Sequence, residues 1–196
     1  MTSSIAPPPE LEQLRAFVNT RDIEADTDAL AGADHGVRWL RDQELLGPAD
    51  TLEPGDVERL IGFRETIREA LAANHDASEM PPHVRDELNE AMRRARLGPE
   101  IEARGVAIRT SAVGVDGAVG TLMIPMLEAM TSGIWERLKV CNNDGCRWAF
   151  YDRSRSKGRR WCSMSVCGNR AKQEAWRASR QLGAAGASRS GSDSAR

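Results

Sequence analysis

All four cysteines of this 196-residue chain lie close together, in two clips of identical spacing: Cys141-Asn-Asn-Asp-Gly-Cys146 and Cys162-Ser-Met-Ser-Val-Cys167. Each clip offers two sulfurs from one turn. The fifteen residues between the clips are enough to fold back and bring the pairs together. A tetrahedral cation needs that arrangement, and four cysteines with no histidine nearby point to one closed, structural Zn2+ site, because a catalytic site keeps a position open. The same thiols also admit two disulfides or an iron–sulfur cluster. Disulfides belong to oxidising compartments, and the N-terminus carries no basic-then-apolar secretory pattern. The residues around the clips suit a polyanion partner rather than an electron carrier.

The intervening sequence predicts the local fold. Residues 147–151, Arg-Trp-Ala-Phe-Tyr, have the aromatic content of a strand, 154–158 read as a turn, and 159–161 as a second strand leading into Cys162. From 163 to 180 the pattern is helical, with Ser163 or Ser165 as N-cap. A metal knuckle, a hairpin and a helix carrying the second clip make a treble-clef-like finger. The run from Cys141 through Arg147-Trp-Ala-Phe-Tyr-Asp-Arg-Ser and Arg159-Arg-Trp-Cys to Cys167-Gly-Asn-Arg-Ala-Lys172 resembles the CGNR-type zinc finger, a bacterial family named for the tetrapeptide found here at 167–170. In that family the finger follows an ABATE domain, described as a putative stress-induced transcription regulator. The phrase Phe17-Val-Asn-Thr20, with Trp39-Leu40 beyond it, resembles the opening of that domain. The resemblance implies zinc on Cys141, Cys146, Cys162 and Cys167, and DNA binding by the finger.

Charge is segregated along the chain. Residues 1–136 hold 13 Lys and Arg against 25 Asp and Glu, whereas residues 137–180 hold 12 against 3. Four thiolates around Zn2+ account for about two of the excess positive charges. The rest form a basic face suited to a polyanion. Arg153, Arg155, Lys157, Arg159 and Arg160 crowd the expected hairpin, and Asn169, Arg170, Lys172 and Arg177 lie on the expected helix. Arginine grips phosphate bidentately and also reads guanine edges. The hairpin is therefore expected to hold phosphates and the helix start to approach bases. Gly168-Asn169-Arg170 has a competing structural reading, as close backbone packing, a hydrogen bond to the clip and a charge against the thiolates. Trp148 and Trp161 are expected to form the finger's small core.

The body reads as mainly α with a small β-hairpin, an α+β domain. Residues 1–9 read as disordered, 10–138 as the helical regulatory domain, 139–180 as the finger and 181–196 as a disordered tail. Helices are expected at 10–18, 33–46, 54–74 and 82–97, from apolar residues at helical spacing. Arg59, Arg64 and Arg68 are assigned to the solvated side of the third of these. One or two short strands follow between 101 and 115, with a turn at Asp116-Gly117. A last helix at 119–138, with a kink or a late start at Pro125, is expected to lead stiffly into Cys141. Asn19 and Thr20 are expected to end the first helix or satisfy local backbone groups, with the lining of a ligand pocket as the alternative.

No enzyme constellation emerges. His35, His75 and His83 are dispersed, and there is no phosphate loop or dinucleotide fingerprint. No apolar run reaches the length of a membrane span, and a cytoplasmic protein is expected. The resulting expectation is a duplex-DNA-binding transcriptional regulator, with a homodimer as one expected form, whose N-terminal domain senses a small ligand or mediates association. The alternatives are a zinc-stabilised protein-interaction module, with the chain's own acidic body among its partners, a thiol redox sensor that releases zinc, and an RNA target for the same finger.

Overall fold

The computed structural model describes residues 8–187. Helix α1 (Pro9–Val18) starts on a proline at its first turn, where the missing N–H costs nothing. A tight two-residue pairing of β1 (Arg21–Asp22) with β2 (Thr27–Asp28) follows, and then α2 (Ala33–Asp42). Helix α3 (Pro54–Asp76) is the central element. Its entry is a reciprocal capping box, in which the Glu53 side chain accepts from the N–H of Asp56, the third helical residue, and the Asp56 carboxylate accepts from the Glu53 N–H, with Pro54 at the first position. Helix α4 (Pro82–Arg94) packs beside it.

An antiparallel hairpin comes next, β3 (Leu97–Glu102) and β4 (Gly105–Thr110), in register from Leu97 opposite Thr110 to Glu102 opposite Gly105. The connection is therefore Ala103-Arg104. Asp116-Gly117 is not a turn, because it lies in the first turns of α5 (Gly114–Ser132). Pro125 is accommodated inside α5. The helix stops at Gly133, which caps it in the left-handed region at φ 73°. A single 3-10 turn (Trp135–Arg137) follows, then β5 (Leu138–Val140). The expectation of one helix running to 138 is thus wrong: glycine supplied the stop, and Leu138-Lys-Val140 pairs as a strand.

β5 pairs antiparallel with β6 (Ala149–Tyr151), Leu138 opposite Tyr151 and Val140 opposite Ala149. The expected strand partner at 159–161 is not one; in place of a ladder, the Asn142 N–H of the knuckle donates to the Arg160 carbonyl. A π-helical turn (Met164–Gly168) then opens into α6 (Asn169–Ala187). The disorder expected for 1–9 and 181–196 falls mostly outside the described residues; within them, Pro9 already belongs to α1 and α6 continues to Ala187.

One apolar cluster unites the body and the root of the finger. It contains Leu14 and Phe17 of α1, Leu60, Ile67 and Leu71 of α3, Leu122 and Met126 of α5, and also Leu138, Val140, Ala149 and Tyr151. The boundary expected at 138/139 falls within β5, a buried strand whose Leu138 and Val140 belong to that shared core. The protein is mainly helical with small two-stranded antiparallel sheets, as its sequence pattern implied.

Candidate metal centre and its anchorage

The first clip is the turn between β5 and β6. Cys141 donates its N–H to the Trp148 carbonyl, while Cys146 and Arg147 both donate to the Asn143 carbonyl. The Asn143 side chain accepts from the Gly145 N–H at 3.0 Å. Arg147 leaves the knuckle with φ 45°, a left-handed conformation that lets the chain reverse into β6. The second clip begins at Cys162 and closes in the π-helical turn at Cys167. Gly168 donates its N–H to the Ser163 carbonyl, and the Asn169 amide donates to the Ser165 carbonyl at 3.2 Å. A Cβ on Gly168 would sit 2.5 Å from the Met164 sulfur and 3.3 Å from the Trp161 ring. The Gly and Asn of the tetrapeptide thus do local structural work.

The four sulfurs lie within 4.8 Å of one another. Cys146 and Cys162 are 3.6 Å apart, and Cys162 and Cys167 3.8 Å. Sulfurs held 2.3 Å from one tetrahedral ion are separated by about 3.8 Å, whereas a disulfide brings them to about 2.05 Å. All four thiols are free. Three of the four cysteines are buried, and Trp148 and Trp161 pack against them. Protons alone leave this cluster in conflict. Thiol hydrogen bonds from Cys146 and Cys162 pull Cys141 far below the usual thiol range, and the same bonds push Cys146 and Cys162 far above it. A divalent cation removes the conflict, because each sulfur can then ionise toward it. The donor set and spacing fit a thiophilic tetrahedral ion, held by Cys141, Cys146, Cys162 and Cys167. None of the three histidines joins them among the described residues: His35 accompanies the Ala31 carbonyl, His83 pairs with Glu69, and His75 ends α3.

The basic residues divide into distinct roles. Arg159 donates to the Trp161 carbonyl at 2.8 Å and to the Cys162 carbonyl, and lies over the Phe150 ring at 5.0 Å. Its guanidinium braces the second clip. Lys157 pairs with Glu136, and Lys139 donates to the Lys157 carbonyl. Asp152, fully buried, accepts from the N–H groups of Ser154 and Arg159 at 2.9 and 2.8 Å and faces Lys139. Burial alone would raise its pKa, but those donors and the lysine together hold it below the usual carboxylate range. The loop from 152 to 160 is therefore shaped from inside. Arg153, Arg155 and Arg160 are exposed on it, and Asn169, Arg170 and Lys172 are exposed on α6. Arg170 reaches Glu24, on the acidic β1–β2 turn, at 2.8 Å.

The sequence missed the groups that fix this centre to the body. Arg68 of α3, with a side chain 2% exposed, donates to the Val18 carbonyl at 2.7 Å and to the Arg147 carbonyl at 2.8 Å. Arg64, 3% exposed, forms a bidentate pair with Asp28 and also donates to Thr20. These two arginines are not solvated. Position 64 follows Leu60 by four residues, and 68 precedes Leu71 by three, so both lie on the stripe that points inward. Asn19 does not serve its own helix end. Its amide donates to the Ala149 carbonyl at 3.0 Å and accepts from the Ala149 N–H at 2.7 Å, as a further strand would. Thr20 does bond locally, to the Phe17 carbonyl. The Asn74 amide completes the set with the Trp135 and Leu138 carbonyls at 2.9 and 3.0 Å.

Two known families match successive parts of the chain. Residues 137–180 match the CGNR zinc finger. Residues 15–130 match ABATE, described as a putative stress-induced transcription regulator. No curated protein matches the chain. The ABATE match alone spans more than half of the chain, so the chain belongs to the ABATE family of putative stress-induced transcription regulators and carries a CGNR zinc finger after that domain.

Proposed function

We propose that this protein is a non-enzymatic, DNA-binding transcriptional regulator whose finger folds around one structural Zn2+ and grips duplex DNA. The observation that carries the reading is the exposed basic surface built on the four-cysteine centre, with Arg153, Arg155 and Arg160 on the loop and Lys172 on α6. The buried Asp152 and the inward Arg159 hold that loop in shape, so that its exposed guanidinium groups meet a phosphate backbone with little ordering cost. Lys157 and Arg159 serve this face mainly by shaping it. The ABATE domain supplies the regulatory input, through association or through a small ligand. An open groove of about 630 Å³ between α2 and the segment that follows it, lined by Val37, Arg38, Arg41 and Leu52, is the place to look for such a ligand.

The test is binding of zinc-loaded protein to labelled duplex DNA across a salt series, with RNA of equal length as competitor. The expected result is duplex binding that weakens steeply with salt, is reduced in Arg155→Ala/Arg160→Ala, and is lost in Cys162→Ser. Absence of binding at low salt refutes the reading. It would favour instead a finger that docks acidic protein surfaces, a mode for which the Arg170–Glu24 pair is an internal example.

A further inference from the structure

We infer that α6 is the sequence-reading element of the finger, and that Gln173, Arg177 and Arg180 reach base edges in the major groove of duplex DNA. This rests on the DNA-binding reading above and assigns roles within it.

From Asn169 to Arg180 every side chain of α6 is exposed except the half-buried Ala171. Its one substantial packing contact among the described residues is with the π-helical turn that carries Cys167. A helix of this length with no partner is marginal in water, because nothing offsets the entropy of ordering it. It is fixed at its root by the second clip and by the Arg170–Glu24 pair, and beyond that root its surface has no substantial packing partner among the described residues.

The surface has a definite chemistry. At 100° per residue, Arg170, Lys172, Gln173, Trp176, Arg177 and Arg180 fall within an arc of about 160°. Ala171, Ala175 and Ala178 lie on the opposite side, and the one carboxylate of this segment, Glu174, falls just outside the arc. Trp176 is 58% exposed, with the Arg180 guanidinium over its ring at 4.9 Å. An aromatic on a solvated helix contributes nothing to a core; beside a duplex it offers a flat apolar face to a thymine methyl group or a sugar. The B-form major groove admits one α-helix. Gln173 and Arg177 stand one helical turn apart, with Arg180 three residues further. A glutamine amide pairs bidentately with adenine, and arginine does so with guanine. The A-form groove of duplex RNA is too narrow for the same insertion, which selects DNA as the occupant.

The test is selection from a random-sequence duplex DNA pool by the full zinc-loaded chain, run in parallel for wild type, Gln173→Ala, Arg177→Ala and Lys172→Ala. Circular dichroism and zinc content establish that each variant folds, as the exposure of these side chains implies. Wild type should enrich one motif. Gln173→Ala and Arg177→Ala should each lose preference at one or two positions of it by roughly tenfold or more, while low-salt binding to unselected DNA stays within about threefold. Lys172→Ala should weaken binding to all sequences alike. The inference is overturned if wild type binds the pool without enrichment, if the motif is unchanged in both variants, or if RNA displaces the duplex. Absence of any binding to the pool refutes the DNA-binding reading as well and is told apart from these outcomes by the unselected-DNA control.

Discussion

Replacing Arg68 by methionine should destabilise body and finger together. The substitution keeps length and apolar bulk but removes every donor. The Val18 and Arg147 carbonyls then lose a charged partner, and Glu65 loses one of its two arginines. A buried hydrogen bond to a charged group contributes about 1.5–3 kcal/mol. The Glu65 pair adds little, because that carboxylate is about half exposed. Against these gains stands the cost of burying the guanidinium, which lowers the Arg68 pKa in spite of Glu65. The net loss expected is about 2–4 kcal/mol out of a total stability of roughly 5–15 kcal/mol. For a chain of this size that corresponds to a fall in Tm of roughly 5–15 °C. The assay is thermal unfolding of zinc-loaded protein, followed by far-ultraviolet circular dichroism for the helices and by fluorescence for the tryptophans. Both signals should move together, because Arg68 joins the end of α1 to the start of β6. Arg68→Lys should recover only part of the loss, since one ammonium cannot reproduce the planar fork that spans two carbonyls. A Tm within about 3 °C of wild type, or a shift in one signal alone, would refute the reasoning.

Chelation of the metal should lower the melting temperature of the body as well as the finger, because Leu138, Val140, Ala149 and Tyr151 belong to the common core; calorimetry showing an unchanged body transition would contradict this. Acid should act through Asp28 and Asp152. Burial would raise both, but Arg64 and the Leu30 N–H for Asp28, and the Ser154 and Arg159 groups for Asp152, outweigh it and hold both below the usual range. Their contribution is therefore complete above the unfolded carboxylate pKa of about 3.9 and is lost as pH falls through the lower folded values; denaturant midpoints measured below about pH 4 should fall more steeply for wild type than for Asp28→Asn. Glu24→Gln should strengthen DNA binding about twofold or more and steepen its salt dependence by up to about one unit, since Arg170 then meets phosphate without first leaving a carboxylate. Asp26→Asn, on the same turn but paired with Arg21, is the control, and equal effects from both would show that only net charge matters.

The metal centre was the most legible part of the chain, because ligand spacing constrains geometry more tightly than periodicity does. The helices on either side of α3 were also readable from their apolar stripes. What was hidden depended on tertiary partners. Gly133 is an unremarkable glycine in sequence, yet it ends α5 and frees Leu138-Lys-Val140 to pair with Ala149-Phe-Tyr151. The basic segment 159–161 resembles a strand in composition, but the edge it would have used belongs to β5. Arg64 and Arg68 follow the inward stripe of α3 in position and the outward pattern in chemistry; only the carbonyls and carboxylate opposite them decide which wins. Asn19 reads as a helix terminator because its partner, Ala149, is 130 residues away.

The anchorage described above also sets a scale of length. Arg68, Asn19 and Asn74 hold the finger's root at three places, and the apolar core fills the space between them. A finger on a slack tether adapts to whatever interval separates two target sequences. Here, two copies joined through their ABATE domains would carry their fingers at one fixed separation and one fixed rotation. Target sites would then be sorted by the number of base pairs between their halves, and insertion of half a helical turn of DNA would defeat binding as surely as altering a base.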